Sequence, residues 1–79
     1  MNIEQKVISI ISEVTHIPSE KITLENKLID LVSDSIQLFE LLITFEKELG
    51  EKVSYTDVAQ IESVKDIVAY AYKKKLYVI

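Results

Sequence analysis

Residues 33–49 read Ser33-Asp34-Ser35-Ile36-Gln37-Leu38-Phe39-Glu40-Leu41-Leu42-Ile43-Thr44-Phe45-Glu46-Lys47-Glu48-Leu49, and this stretch decides the fold. Three consecutive residues able to cap a helix stand directly before a dense apolar series. Asp34, followed three residues later by Gln37, makes a capping-box-like pair with Asp in the usual place of Ser or Thr. With Asp34 as N-cap, Ser35 takes the first helical position, where backbone N–H groups lack intrahelical acceptors. A phosphate attached there meets those donors and the positive end of the helix dipole. Taken alone, Ser-Asp-Ser before a helix is more often only a cap.

The rest of the segment carries two stripes. Leu38, Leu41, Leu42, Phe45 and Leu49 follow the i, i+3, i+4, i+7, i+11 rhythm of one buried face. Ile36, Phe39 and Ile43 form a second stripe, rotated away and flanked by Glu40 and Glu46. A helix in so small a domain cannot easily bury two faces. One apolar strip with an acidic margin is therefore expected at the surface, beside a modifiable serine, as a docking site.

Working outward, Ile3, Val7, Ile10, Ile11 and Val14 define the face of a first helix, which Ile17-Pro18 ends. His16 closes that helix as a polar residue whose charge would suit the dipole. The connection from Thr15 to Ser33 is too long for an unstructured loop in a compact domain. Ile17, Ile22, Leu24, Leu28 and Leu31 are expected to pin it to the core, and Pro18–Lys21 can add one helical turn. Gly50 stops the main helix. A short helix is expected at Thr56–Gln60, capped by Thr56 or Ser54. Ser63 is read as the cap of a last helix that buries Val64, Ile67, Val68 and Ala71. Leu76-Tyr77-Val78-Ile79 has β character and is read as a loose or docked tail.

At 79 residues, 48% of them hydrophobic, the chain holds one small domain with a barely sufficient core. It has no cysteine and one histidine, so disulfide frameworks, thiolate metal sites and His-cluster sites are excluded. Asp30 and Asp34 could share a divalent cation with Glu48 or Asp57, but no calcium-loop spacing is present, and no metal site is assigned. No nucleophile–base–orienter set, Gly-x-Ser-x-Gly elbow or phosphate-binding glycine loop is visible, so no catalytic residue is assigned. The net charge of −4 conceals an acidic body over residues 1–72 and a basic run at Lys73–Lys75. That body argues against nucleic acid and for basic protein partners. No segment reads as a membrane span or signal peptide; a cytoplasmic monomer is expected.

The chain resembles the acyl carrier protein family. Asp34-Ser35-Ile36 is similar to that family's Asp-Ser-Leu-type motif at the start of its second helix. The resemblance continues through Glu40-Leu41-Leu42, through Phe45 to Gly50 and into Ile61 to Ile67. Upstream, Leu24, Leu28, Asp30 and Leu31 look like its loop anchors. It implies that 4′-phosphopantetheine is attached covalently at Ser35, beside Asp34, by a separate phosphopantetheinyl transferase using coenzyme A and Mg²⁺. Acyl groups would then ride as thioesters on the arm and be presented to acyl-transfer and synthase enzymes. The carrier itself would be no enzyme. Ile36, Phe39, Glu40, Ile43 and Glu46 would form its docking face.

Patterning and resemblance together give an all-α fold: a small antiparallel four-helix bundle, three main helices plus one short one, with a long first loop. One domain spans 1–79, with 72–79 as a basic, apolar tail. Three positions depart from the family pattern: Val32 where Gly is frequent, Gln37 where an acid is frequent, and Lys47 within an acidic run. They weaken a generic acidic docking surface and lean towards a dedicated pathway (polyketide or lipid) over housekeeping fatty-acid synthesis. The absence of Gly-Gly-x-Ser leans away from a peptidyl carrier. The alternative from another class is a non-modified helical interaction module using the Ile36/Phe39/Ile43 face.

Overall fold

The computed structural model describes residues 2–50, 52–53 and 55–78. Its elements are α1 (Ile3–Thr15), a 3₁₀ turn (Ser19–Lys21), α2 (Leu28–Leu31), α3 (Ser35–Leu49), α4 (Tyr55–Gln60) and α5 (Val64–Val78). The fold is the expected all-α bundle of three long helices and a short one. Among the described residues no strand occurs, only an isolated antiparallel bridge between Lys27 and Ser63.

The core is the meeting place of the predicted apolar faces. Val7, Ile10 and Ile11 of α1, Leu41 and Phe45 of α3, and Val64, Ile67, Val68 and Ala71 of α5 are buried together with Ile22 and Leu28 from the loop. Helices α1 and α3 run antiparallel: Gln37 at the start of α3 reaches Val14 near the end of α1, and Lys6 pairs with Glu48 at the opposite end. Gly50 ends α3 as expected, with φ 70° and its N–H donated to the Glu46 carbonyl at 2.9 Å. Nothing lies within 4 Å of the place a Cβ would occupy, so glycine is needed there for conformation alone.

The long first connection is held in two ways. Ile22 and Leu28 are buried, and Ile17, Leu24 and Leu31 pack against the core, as expected; Asp30 instead is exposed and lies outside the core cluster. The second way is through the backbone. The carbonyls of Asn26 and Leu24 accept the N–H groups of Val64 and Lys65 at 3.0 and 3.1 Å, and the Leu28 N–H is donated to Glu62. The loop thus satisfies donors that the first turn of α5 cannot satisfy itself.

Four local expectations need correction. The loop contains a one-turn helix, α2, too short to show a period. Helix α4 begins at Tyr55, so Thr56 lies inside it, and the alternative cap Ser54 falls outside the described residues. Helix α5 continues through Val78, so 76–78 is helix where a loose or docked tail was expected; Ile79 lies outside the described residues. Ser63 does precede α5, but its hydroxyl caps nothing and is buried without a hydrogen bond. Asp66 reaches back instead, its Oδ2 accepting the N–H groups of Glu62 and Ser63, both at 3.0 Å. Those two donors hold its carboxyl below the ordinary 3.8.

Candidate functional site

Helix α3 opens as its sequence predicts. Asp34 is the N-cap in an extended conformation, φ −162°, and its Oδ1 accepts the Gln37 N–H at 2.8 Å. The Gln37 side chain returns the bond, but to the N–H of Ser33 at 2.8 Å, one residue further back than in a standard capping box. The Leu38 N–H is taken by the Asp34 carbonyl at 3.2 Å. Ser35 and Ile36, the first two helical residues, therefore carry the open donors of the helix mouth. Ser35 is exposed, and among the described residues no hydrogen bond ties its hydroxyl. A reactive oxygen, two nearby N–H groups and the positive dipole end meet at one solvent-facing point.

The two stripes of α3 separate as expected at their extremes. Leu41 and Phe45 are fully inside, whereas Ile36, Phe39 and Ile43 are 69%, 60% and 44% exposed. The strip runs along the helix away from Ser35 and borders a shallow apolar groove formed with Leu38, Leu42 and Val53. Leu38 and Leu42 depart from the expected burial. Both are half-buried, and together they form a ridge between this groove and a second one lined by Leu28, Ile29 and Ile61. Ile29, 76% exposed, is an apolar surface residue on α2 that the sequence reading missed, because a four-residue helix gives no face to read.

The acidic margin is uneven. Glu40 is exposed. Glu46 is half-buried, lines the groove and accepts the Val53 N–H at 3.3 Å, so part of its carboxylate holds the chain that follows α3. Gln37 is likewise half-buried. Val32 is the C-cap of α2, its N–H donated to Leu28, and its side chain packs on the core. Of the three departures from the family pattern, two are thus half-buried and held by the protein's own contacts, and Lys47 alone is exposed, in the last turn where a cation suits the dipole.

Other polar and aromatic residues do not join this site. His16 closes α1 in the left-handed region, φ 63°, with its N–H donated to the Ser12 carbonyl at 2.8 Å. Tyr70 donates its hydroxyl to Asp57 Oδ2 at 2.8 Å, linking α5 to α4, and Tyr72 is exposed. Asp30, Asp34, Glu48 and Asp57 do not converge: among the described residues no group of three or more metal-ligating side chains comes together. No described helix is long and apolar enough to cross a membrane.

Comparison with known proteins places this geometry in context. The family model described as phosphopantetheine attachment site matches residues 5–71. An acyl carrier protein of Thermotoga maritima is 47% identical over 70 residues, covering 87% of this chain and 86% of its own. One from Akkermansia muciniphila is 38% identical over 91% of both chains, and one from Solidesulfovibrio magneticus 33% identical over 95% and 97%.

Proposed function

The chain belongs to the acyl carrier protein family, and from that premise we propose that Ser35 is the residue that receives 4′-phosphopantetheine. The protein is a carrier and not an enzyme, and its prosthetic group is covalent 4′-phosphopantetheine. When bound, the group supplies a thiol at the end of a long arm, on which acyl groups are held as thioesters. The single observation that carries the proposal is the place of Ser35: an exposed, untied hydroxyl at the first position of α3. The residues there fit the group. The Ser35 oxygen would form the ester and the open N–H groups of Ser35 and Ile36 would be available to its phosphate, while Asp34 caps the helix at Gln37.

Ile36, Phe39 and Ile43 form the docking strip for the phosphopantetheinyl transferase and for acyl-transfer and synthase enzymes, with Glu40 steering encounter. Glu46 contributes less to steering than Glu40, because Val53 already occupies it. With Gln37 and Val32 accounted for internally, only Lys47 still argues for a dedicated pathway, and service in general fatty-acid synthesis becomes the better reading. The carrier acts as a cytoplasmic monomer. The rival, an interaction module that is never modified, keeps the strip and forgoes the arm.

Incubation with a broad-specificity transferase, coenzyme A and Mg²⁺ tests both parts. The wild type gains one phosphopantetheine by intact mass and Ser35→Ala gains none. Phe39→Ala, folded as judged by its melting curve, is loaded with a raised KM. A wild type that several transferases leave unchanged in mass would hand the case to the rival.

A further inference from the structure

Gln37 lies outside the docking strip, yet it touches both sides of the attachment segment. Its side-chain oxygen accepts the Ser33 N–H at 2.8 Å, while its side-chain nitrogen donates to the Val14 carbonyl at 3.4 Å. Its own N–H is held by Asp34. The half-buried side-chain amide therefore joins the peptide two residues before Ser35 to the last turn of α1, while the backbone N–H of the same residue is held by the cap one residue before Ser35. That turn is closed by bonds of its own. The Thr15 hydroxyl donates to the Ile11 carbonyl at 2.6 Å, the Ser12 hydroxyl to the Ile17 carbonyl at 2.6 Å, and the His16 N–H to the Ser12 carbonyl. The Val14 carbonyl is part of a fixed platform.

Resting on the reading of Ser35 as the attachment residue, we propose that Gln37 is a positioning residue for its modification. It braces residues 33–35 against the end of α1 and so fixes the direction in which the Ser35 hydroxyl is presented. In this chain one uncharged amide fills both bonds at once. A carboxylate accepts from Ser33 but has no hydrogen for the Val14 oxygen and repels it, and an ammonium donates but cannot accept. Presentation matters because the serine oxygen must meet phosphorus in line, and a misplacement of about 1 Å can slow such a step on the order of 100-fold.

The test loads wild type, Gln37→Met and Gln37→Glu with a purified transferase and coenzyme A well below their melting temperatures, resolving kcat from KM. Gln37→Met is expected to lower kcat about ten-fold with KM within about two-fold, because the docking strip is untouched. Gln37→Glu, which keeps the acceptor, loses about three-fold. Amide exchange at Ser33 accelerates in Gln37→Met and not in Gln37→Glu. Loss of stability alone would leave kcat unchanged while the domain stays folded. A Gln37→Met kcat within about two-fold of wild type overturns the proposal. So does a rise in KM alone, which would put Gln37 on the docking face, and so does a Gln37→Glu that loads as well as wild type. Ser35→Ala, run beside them, keeps the two readings apart: if wild type gains the group and Ser35→Ala does not, the attachment reading stands whatever Gln37 does.

Discussion

The mouths of α3 and α5 can be laid side by side, Asp34-Ser35-Ile36-Gln37 against Ser63-Val64-Lys65-Asp66. Both set a residue of capping type three positions before a polar side chain, and both use a carboxylate to hold backbone N–H groups, Asp34 itself at α3 and Asp66 at α5. At α5 the loop carbonyls of Leu24 and Asn26 then take the N–H groups of Lys65 and Val64, and Val64 is fully buried. At α3 no such carbonyl covers the corresponding positions among the described residues, and Ser35 and Ile36 are exposed. The cap chemistry is shared; the covering loop decides which mouth is a site. A phosphate at α5 would meet carbonyl oxygens where at α3 it meets open donors.

The largest effect that sharpens this contrast lies at the first helical position. Val64→Ala removes two buried methyl groups and leaves a cavity, an expected loss of about 2–3 kcal/mol in urea unfolding. Ser35→Ala, at the matching exposed position, changes stability by no more than about 0.5 kcal/mol while removing the attachment oxygen. Should Ser35→Ala prove as destabilising as Val64→Ala, the two mouths do not differ in burial as described.

A smaller effect separates the two acids by pH. The Asp66 carboxyl is held below its ordinary 3.8 by the N–H groups of Glu62 and Ser63. A lowered folded value means that its charged form adds stability above the unfolded value, and that this contribution is lost as pH falls through the folded one. Asp66→Asn keeps an acceptor and removes the charge. It should cost about 0.5–1 kcal/mol at pH 6. The gap to wild type should close between pH 4 and the lower folded value. A gap that stays constant down to pH 2 would show that the charge contributes nothing.

These comparisons also mark what the residues alone could reveal. The three long helices, the Gly50 stop, the place of Ser35 at the first position of α3 and the exposed Ile36–Phe39–Ile43 strip follow from periodicity and capping, which are local and leave a trace in residue order. The covering of α5 left none, because it is made by main-chain carbonyls 38 and 41 residues upstream, where any residue type supplies the same acceptor. Gln37 was misread as missing surface acidity because its partner, Val14, lies 23 residues away. The end of α5 was misread because Leu76-Tyr77-Val78 carries β propensity, which the helix already running from Val64 overrides. His16 was placed correctly as the end of α1, and its left-handed conformation is one that histidine adopts more often than most residues.

The smallest effect is also the sharpest for the two serines. Ser63 is 8% exposed and its hydroxyl makes no well-formed hydrogen bond, although it lies beside the Asp66 carboxylate, while the N–H groups a capping serine would serve are already held elsewhere. An unsatisfied buried hydroxyl costs about 1–3 kcal/mol, less whatever its methylene packing returns. Ser63→Ala removes that group without opening a cavity larger than one oxygen, so it should be neutral or stabilising by up to about 1 kcal/mol. An N-cap serine that did its usual work would instead cost about 1 kcal/mol on the same change. Thermal melting therefore distinguishes the two roles by sign, which is more secure than magnitude at this scale. Phosphopantetheine loading of Ser63→Ala should match wild type, since Ser35 and its donors are untouched. A Ser63→Ala that lowers the melting temperature would restore Ser63 as a working cap, and one that loads more slowly would mean that the α5 mouth is coupled to the α3 mouth through the loop between them.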